Sequence, residues 1–435
     1  MNNCTKILSA FAVSLAFSMA PVQFAWSKSP VRIKQKKGVF SLYVDGKKTY
    51  IKGIGGMNRA EIASRNSANA CRNWGGDAER VRRDANLALS NGMYLMQGID
   101  MPKDVKLYLN EEFKQRKRDE VLQLGKMFKD DKAILVWGIG NEIQLNDAGG
   151  KEVWEFVDEL ACILHRVDKR HLTSTVISHD PRALDSIARY APHLDLVGIN
   201  SYGSIGNVQE MVEKSAYQGP YLITEWGPTG WWECAKTEWG APIEQTSEEK
   251  RKIYEQRYNE YIMNSPRCLG SFCFLWGQKE ERTPTWFSMF VENGNRVEGL
   301  PLRGEKTPMI EAMQRVWSGE EPTQTAPVVG HLLIEDKDAR QSVKVNKGLT
   351  FKANISSKDR EGDKLTYVWE VLKEATKTAT GGAYEPRPER VGECKTTQNP
   401  ELELSIAEAG FYRLYVYVLD GTGFASTANI PFKVE

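Results

Sequence analysis

Between residues 50 and 276 the chain alternates two kinds of pattern. Short apolar, β-type runs occur at 50–54, 68–74, 93–99, 133–138, 172–177, 194–200, 221–225 and 270–276. Between them, 77–90, 112–128, 151–167, 182–190, 208–215 and 247–263 carry apolar residues at helical spacing. In 151–167 these are Val153, Phe156, Val157, Leu160, Ile163 and Leu164, which fall on one helix face. Eight strands alternating with such helical segments predict a (β/α)₈ TIM barrel over 53–318. A doubly wound open sheet is the alternative. Gly53-Ile54-Gly55-Gly56 is a poor match to its phosphate-binding turn, with no well-placed third glycine or later acid.

The pattern changes on both sides of this region. Over 28–52, Phe40, Leu42 and Val44 alternate with polar or small residues, and Asp45-Gly46 makes a tight turn, which predicts a β-hairpin. The stretch 319–330 is polar and contains proline, so it reads as a linker. Beyond it helical spacing disappears. Strand-type runs at 343–345, 349–353, 365–371, 402–406, 412–419 and 428–434 predict a small all-β, Ig-like sandwich over 331–435. At the start, Lys6 precedes an apolar run from 7 to 20, and small residues follow at 25–27. That is the form of a secretory signal peptide over 1–27, and it places the protein outside the cytoplasm, secreted or periplasmic.

Composition narrows the class. A hydrophobic content of 41% with 26% charged residues describes a soluble globular protein. The formal net charge is +1, and without residues 1–27 the 57 basic residues equal the 57 acidic ones. Such a chain has no electrostatic footprint for nucleic acid or an anionic membrane, and a neutral polymer suits it better. No run after residue 27 is long and apolar enough for a membrane span. Six cysteines remain: Cys71, Cys162, Cys234, Cys268, Cys273 and Cys394. Their even number allows disulfides in an exported chain, but Cys71 and Cys273 lie in apolar runs that suit buried thiols. No pair has zinc-ligand spacing, and neither a metal nor a cofactor is expected.

In a TIM barrel, chemistry sits at the carboxyl ends of the strands. The fourth run ends Trp137-Gly138-Ile139-Gly140-Asn141-Glu142, and the seventh ends Ile223-Thr224-Glu225-Trp226. Each is an apolar run closing on a glutamate. The two glutamates lie 83 residues apart, which is three βα units of about 28 residues. Strands four and seven stand on opposite sides of an eight-stranded barrel, so two long carboxylates there can face each other across its mouth. Paired carboxylates flanking a bond are what glycoside hydrolysis needs.

These residues carry a resemblance. "FSLYVDGKKTYIKGIGG" (40–56), "ANACRNWG" (68–75), "GMYLMQGID" (92–100), "WGIGNE" (137–142), "LDLVGINSYG" (194–203), "ITEWGPTG" (223–230) and "FCFLWGQ" (272–278) follow in order, each at its strand. Over most of 40–318 the chain resembles glycoside hydrolase clan A, and within it the TIM-barrel domain of the glycosyl hydrolases family 2. The resemblance implies a carbohydrate substrate and a retaining, two-step cleavage of β-glycosidic bonds. Glu225 would be the nucleophile and Glu142 the acid/base. Arg72 would keep Glu225 ionised, Asn141 would bind the sugar 2-hydroxyl, Tyr202 would hydrogen-bond Glu225, and Trp276 would be the floor on which the sugar stacks. Trp226 and Trp231, with Trp74, Trp232, Trp239 and Trp286, supply flat apolar surface of the kind sugar rings stack on. Each of these tryptophans also suits plain packing.

The chain departs from that family in two ways. Family 2 enzymes carry jelly-roll and sandwich domains before the barrel, whereas here a hairpin precedes it and a sandwich follows. Glu233 and Glu238 also follow Glu225 closely, which leaves Glu233 as a rival nucleophile. A transglycosylase using the same residues, or a carbohydrate-binding protein without activity, are the other readings. The last domain resembles PKD- or cadherin-like modules through "DREGDKLTYVWEV" (359–371) and "YRLYVYVLDGTGFAS" (412–426), with Trp369 as its core aromatic. Asp359, Glu361, Asp363 and Asp420 offer oxygen ligands of the kind calcium takes, although polar turn residues have the same composition.

Overall fold

In the computed structural model, which describes residues 30–145, 150–293, 296–377 and 385–435, eight parallel strands close into one barrel. In order they are Ile51–Gly55, Ala70–Arg72, Tyr94–Ile99, Ile134–Asn141, Leu172–Ser178, Leu196–Asn200, Tyr221–Trp226 and Cys268–Cys273. The eighth pairs back onto the first, Gly270 opposite Ile51 and Cys273 opposite Ile54. The helices lie outside it. Lys151–Val167 buries Val153, Trp154, Phe156, Val157, Leu160, Ala161, Ile163 and Leu164, in one cluster with Trp137 and Ile139 of the fourth strand. Each large aliphatic side chain removed from water in this way contributes about 1.5–3 kcal/mol. Helix starts are set by short polar side chains that accept from the first free backbone N–H groups, Asp77 for Ala78–Ser90 and Asn110 for Glu111–Phe128. Thr246 and Glu249 form a reciprocal capping box on Ser247–Arg257. No helix among the described residues is long and apolar enough to cross a membrane. The stretch 1–27 lies outside the described residues.

The amino-terminal segment is a three-stranded antiparallel sheet, Val31–Lys36, Val39–Val44 and Lys47–Thr49. The returning strand ends at Thr49 because Ile51 already belongs to the barrel. Val31, Ile33, Leu42 and Val44 cluster with Ile51, Leu172, Leu196, Leu222 and Leu269. Those barrel residues stand at or near the starts of their strands, so the sheet closes the end of the barrel opposite the candidate site.

Two further sheets make up the carboxyl-terminal all-β domain. One contains Val328–Ile334, Phe351–Lys358 and Glu401–Leu404. The other contains Lys344–Val345, Ala425–Val434, Gly410–Leu419, Thr366–Lys373 and Arg390–Thr397. Their inner faces share one core, with Val329, Leu332, Phe351 and Ile355 against Trp369, Leu414, Val416, Ile430 and Phe432. Two strands differ from the sequence expectation. Val328–Ile334 starts inside the stretch read as linker, where Gly330 and His331 interrupt its apolar run. Arg390–Thr397 is an edge strand with no fully buried residue, so it has no hydrophobic alternation to detect. Asp359, Asp363 and Asp420 come together with carboxylate oxygens within 4.8 Å. Glu361 instead accepts from Thr325, and Asp420 holds the backbone N–H groups of Thr422 and Phe424.

A buried ion pair of the barrel region lies where the sandwich meets it. Lys250 donates to Glu244 at 2.6 Å, and both side chains are 1% exposed. Glu244 also accepts from Thr283 of the barrel region and from Asn429 of the sandwich, each at 2.6 Å. Removing one partner of a fully buried pair strands the other charge, which costs about 3–5 kcal/mol. Lys250→Met is therefore expected to lower the unfolding free energy by about that amount. Urea melts monitored by tryptophan fluorescence measure it, and a loss under about 1 kcal/mol would show that Glu244 finds another partner or a proton.

The six cysteines are all free thiols, with Cys71, Cys268 and Cys273 buried.

Candidate active site

The two glutamates reach the barrel mouth through irregularities in their strands. In the seventh strand Leu222 packs inside the barrel, Ile223 packs outside, and Thr224 hydrogen-bonds Asn200 on the inside. Strict alternation would turn Glu225 outward. A register shift between Ile223 and Glu225 breaks it, and Glu225 points in. The same shift sends Trp226 out. Trp226 is fully buried against Tyr254, at 5.1 Å between ring centroids, and Tyr258, at 6.0 Å. The expectation that Trp226 binds substrate is corrected: it packs the barrel against the following helix.

The fourth strand has a register shift between Gly138 and Asn141. Gly140 takes φ +79°, a left-handed conformation that suits glycine, and Glu142 takes φ 52°. A side-chain-bearing residue in that region is held there at a cost of about 1–2 kcal/mol. Here a hydrogen bond from the Glu142 N–H to the Val176 carbonyl at 2.8 Å fixes it. Consecutive side chains, Asn141 and Glu142, then both serve the mouth.

Around Glu225 every described partner is a donor. Arg72 Nη1 lies 2.9 Å and Trp74 Nε1 2.7 Å from Oε1. The Tyr202 hydroxyl lies 3.0 Å from Oε2. Guanidinium and indole cannot accept, so this cradle complements a carboxylate with no proton on Oε1. Arg72 is 2% exposed and is itself oriented by the Thr224 carbonyl at 2.7 Å and by Asn141 Oδ1 at 2.7 Å. Trp74 reaches the site because Gly98 lies beneath it: a Cβ there would sit 2.3 Å from the Trp74 backbone carbon. Any side chain at 98 would push the indole off Glu225.

Glu142 has a different setting. Asn200 Nδ2 donates to its Oε1 at 3.0 Å, and also to Asn141 Oδ1 at 3.2 Å. Asn141 Oδ1 is thus taken by Arg72 and Asn200, and its Nδ2 is the group left for a ligand. Burial, and then the charge of Glu225, push the Glu142 carboxyl up to about 7. One carboxyl is poised to hold a proton near neutrality and the other is surrounded by donors, the arrangement that lets one site use an acid and a nucleophile together.

An aromatic wall stands beside the pair. Tyr202, Phe274, Trp286 and Phe287 form one cluster, with Trp74 and Trp231 packed on it. Trp232 meets Tyr202 edge-on at 5.4 Å and remains 47% exposed. Trp231 is half-buried behind it, with a ring-to-ring distance of 5.4 Å.

Trp276 is absent from that wall. The eighth strand ends at Cys273, earlier than expected, and Trp276 lies in the turn beyond. It is fully buried against Phe290, at 5.5 Å, and Trp317, at 5.9 Å. The expectation that Trp276 is a sugar floor is corrected: it packs outside the site, and the wall holds Phe274, which follows inward-facing Phe272 by two residues. Glu233, the rival nucleophile, is tied to the N–H groups of Gly203 and Ser204 at 2.7 and 3.1 Å and to the Ser204 hydroxyl at 2.8 Å. It anchors the loop after the seventh strand. Glu238 pairs with Lys344 of the sandwich.

Arg72, Asn141, Glu142, Tyr202 and Glu225 therefore converge, with Trp231 behind the wall. The sequence expectation assigned no role to Asn200 or Phe274 in this site, and named Trp74 only as apolar surface, not as a donor to Glu225. Asn200 carried the same signal as the glutamates, a polar residue closing an apolar run.

No protein-family model and no curated protein matches the chain. Solved structures do. A β-glucuronidase of Faecalibacterium prausnitzii shares 17% identity, over 67% of this chain and 52% of that one, with a TM-score of 0.50. A GH2 β-galacturonidase from Eisenbergiella tayi, bound to galacturonate, shares 15% over 67% and 54%, with a TM-score of 0.49. A Bacteroides uniformis β-glucuronidase shares 11% over 93% and 48%, with a TM-score of 0.47. The chain spans about half the length of each of these structures. At 17% identity the likeness to the first of them bears on the fold alone, in keeping with the closed eight-stranded barrel, and the assignment of chemistry rests on the site.

Proposed function

We propose that the protein is a retaining glycoside hydrolase acting on β-glycosidic bonds. The observation that carries this reading is the unequal pair at the mouth, with Glu225 cradled by Arg72, Trp74 and Tyr202 and Glu142 held near a proton. Glu225 attacks the anomeric carbon as the bond to the leaving oxygen breaks. Glu142 gives that oxygen its proton. A glycosyl ester on Glu225 results. Water then attacks the same carbon, Glu142 takes the water's proton, and Glu225 leaves as carboxylate. Asn141 Nδ2 donates to the sugar 2-hydroxyl. Trp232 and Phe274 offer apolar surface for the ring.

Incubation of the full-length protein with β-glucans, mannans, galactans and uronic-acid polysaccharides, with products read by mass, tests the reading. Shorter products with one added water support it. Longer oligomers would redirect it to transglycosylation, and binding without any turnover would refute it. A smaller effect follows from Tyr202, which gives Glu225 one of its three donors. Tyr202→Phe is expected to cost about tenfold in kcat/KM, the worth of one hydrogen bond to a charged group. An unchanged kcat/KM would remove Tyr202 from the machinery.

The carboxyl-terminal domain is read as a PKD- or cadherin-like accessory module and the protein as exported. Both readings rest on the sequence patterns described above.

A further inference from the structure

One charged group beside this site is left without a partner. Lys103 follows the third strand, Tyr94–Ile99, in a loop that lies on the fourth-strand turn. Met101 of that loop is the neighbour a Cβ at Gly140 would meet at 3.2 Å, two residues before Glu142. The Lys103 Nζ is buried and has no hydrogen-bond partner among the described residues. Its charge is one of those felt by Glu142. An ammonium has three donors and accepts nothing, so burial without an acceptor is costly.

Most other charges near the mouth are matched among the described residues. Glu225 faces Arg72 at 2.9 Å. Glu281 faces Lys279 at 2.5 Å, and Glu280 faces Arg387 at 2.8 Å. Glu233 is held by backbone N–H groups. Burial disfavours the charged form of His179, whose Nδ1 lies 3.0 Å from the Ser201 hydroxyl. Glu142 favours its neutral form below about 7. Asp100, which follows the third strand and lies against Gly75, is exposed to solvent. Among the described residues Lys103 is thus the charged group on the acid/base side of the cleft whose charged atom is buried without an acceptor.

We infer that Lys103 recognises a negatively charged substituent, a carboxylate or a sulfate, on a sugar flanking the cleaved bond, so that the substrate is an acidic rather than a neutral glycan. This rests on the glycosidase reading for its place in the reaction, but not for the binding it requires. The near-zero net charge of the whole chain, which suggested a neutral polymer, does not describe the field inside the cleft.

Calorimetric titration of the full-length protein tests it. The probes are glucuronate, galacturonate and glucose 6-sulfate, against glucose and galactose. At least one charged sugar should bind about tenfold to a hundredfold tighter than its neutral counterpart, the range of a charge-assisted contact. Which one does so separates carboxylate from sulfate. Lys103→Met should abolish that preference, and Lys103→Arg should keep most of it. If Lys103→Met does not fold, the wild-type preference and the Arg variant decide. Equal binding of charged and neutral sugars, no binding of any charged sugar, or a preference that survives in Lys103→Met would overturn the inference. Nitrophenyl glycosides run in parallel keep the two readings apart. Hydrolysis of neutral glycosides without acid preference overturns the role of Lys103 alone. A Lys103-dependent preference without hydrolysis of any glycoside overturns the glycosidase reading alone.

Discussion

Glu225→Gln is expected to lower kcat/KM by about 10⁴-fold or more, because an amide cannot form the glycosyl ester and no second carboxylate can take its place. Glu233 is not available: its oxygens are committed to Gly203 and Ser204. The amide still fits the cradle, since its oxygen can accept from Arg72 and Trp74, and the variant should bind substrate while failing to turn it over. A smaller variant, Glu225→Gly, leaves a space on the nucleophile face. Added azide should then enter from that face and give a glycosyl azide of inverted configuration. Activity of Glu225→Gln within tenfold of wild type, measured on material free of wild-type enzyme, would remove Glu225 from the nucleophile role.

Glu142→Gln is expected to cost about 10²- to 10⁴-fold, the usual contribution of a positioned acid. The loss should depend on the substrate. A dinitrophenolate leaves without help, so its release should be nearly unaffected in the first step, whereas an alkyl glycoside should show the full loss. The same residue sets a pH limb. Its carboxyl is pushed up to about 7 by burial and by Glu225, and the acid works only while protonated. Activity on poor leaving groups should therefore fall as pH rises through about 7, and the limb should vanish in Glu142→Gln. One of the two causes is removable. In Glu225→Gln the repelling charge is gone, so the Glu142 titration should move down, as read by carbon NMR of labelled glutamate. A titration that stays in place would leave burial as its sole cause. The same loss of charge accompanies formation of the glycosyl ester, which favours Glu142 as a base in the second step.

How far these features were legible in the chain differs from residue to residue. Apolar runs that close on Glu142, Asn200 and Glu225 carry a local signal, because a polar group at the end of a buried strand has to emerge at a barrel rim. The amphipathic face of Lys151–Val167 is equally local, since period 3.6 is written in the order of residues. Trp226 and Trp276 were misplaced because their orientation depends on where alternation stops. A register shift at Glu225 reverses it for one, and an early strand end at Cys273 removes the other from the strand. Arg390–Thr397 was silent because this edge strand buries no regular face.

The order of strands and helices, the closed barrel, the β-domain after it and the two glutamates follow from patterns within single segments, where periodicity and burial act on neighbours in sequence. The donors around Glu225 do not. Arg72 and Trp74 lie about 150 residues away from it and meet it through barrel closure and the space left at Gly98. The raised carboxyl at Glu142 and the unmatched ammonium of Lys103 are also properties of assembly. Desolvation and the balance of charge depend on which groups surround a side chain in space, and no local pattern along the chain encodes that.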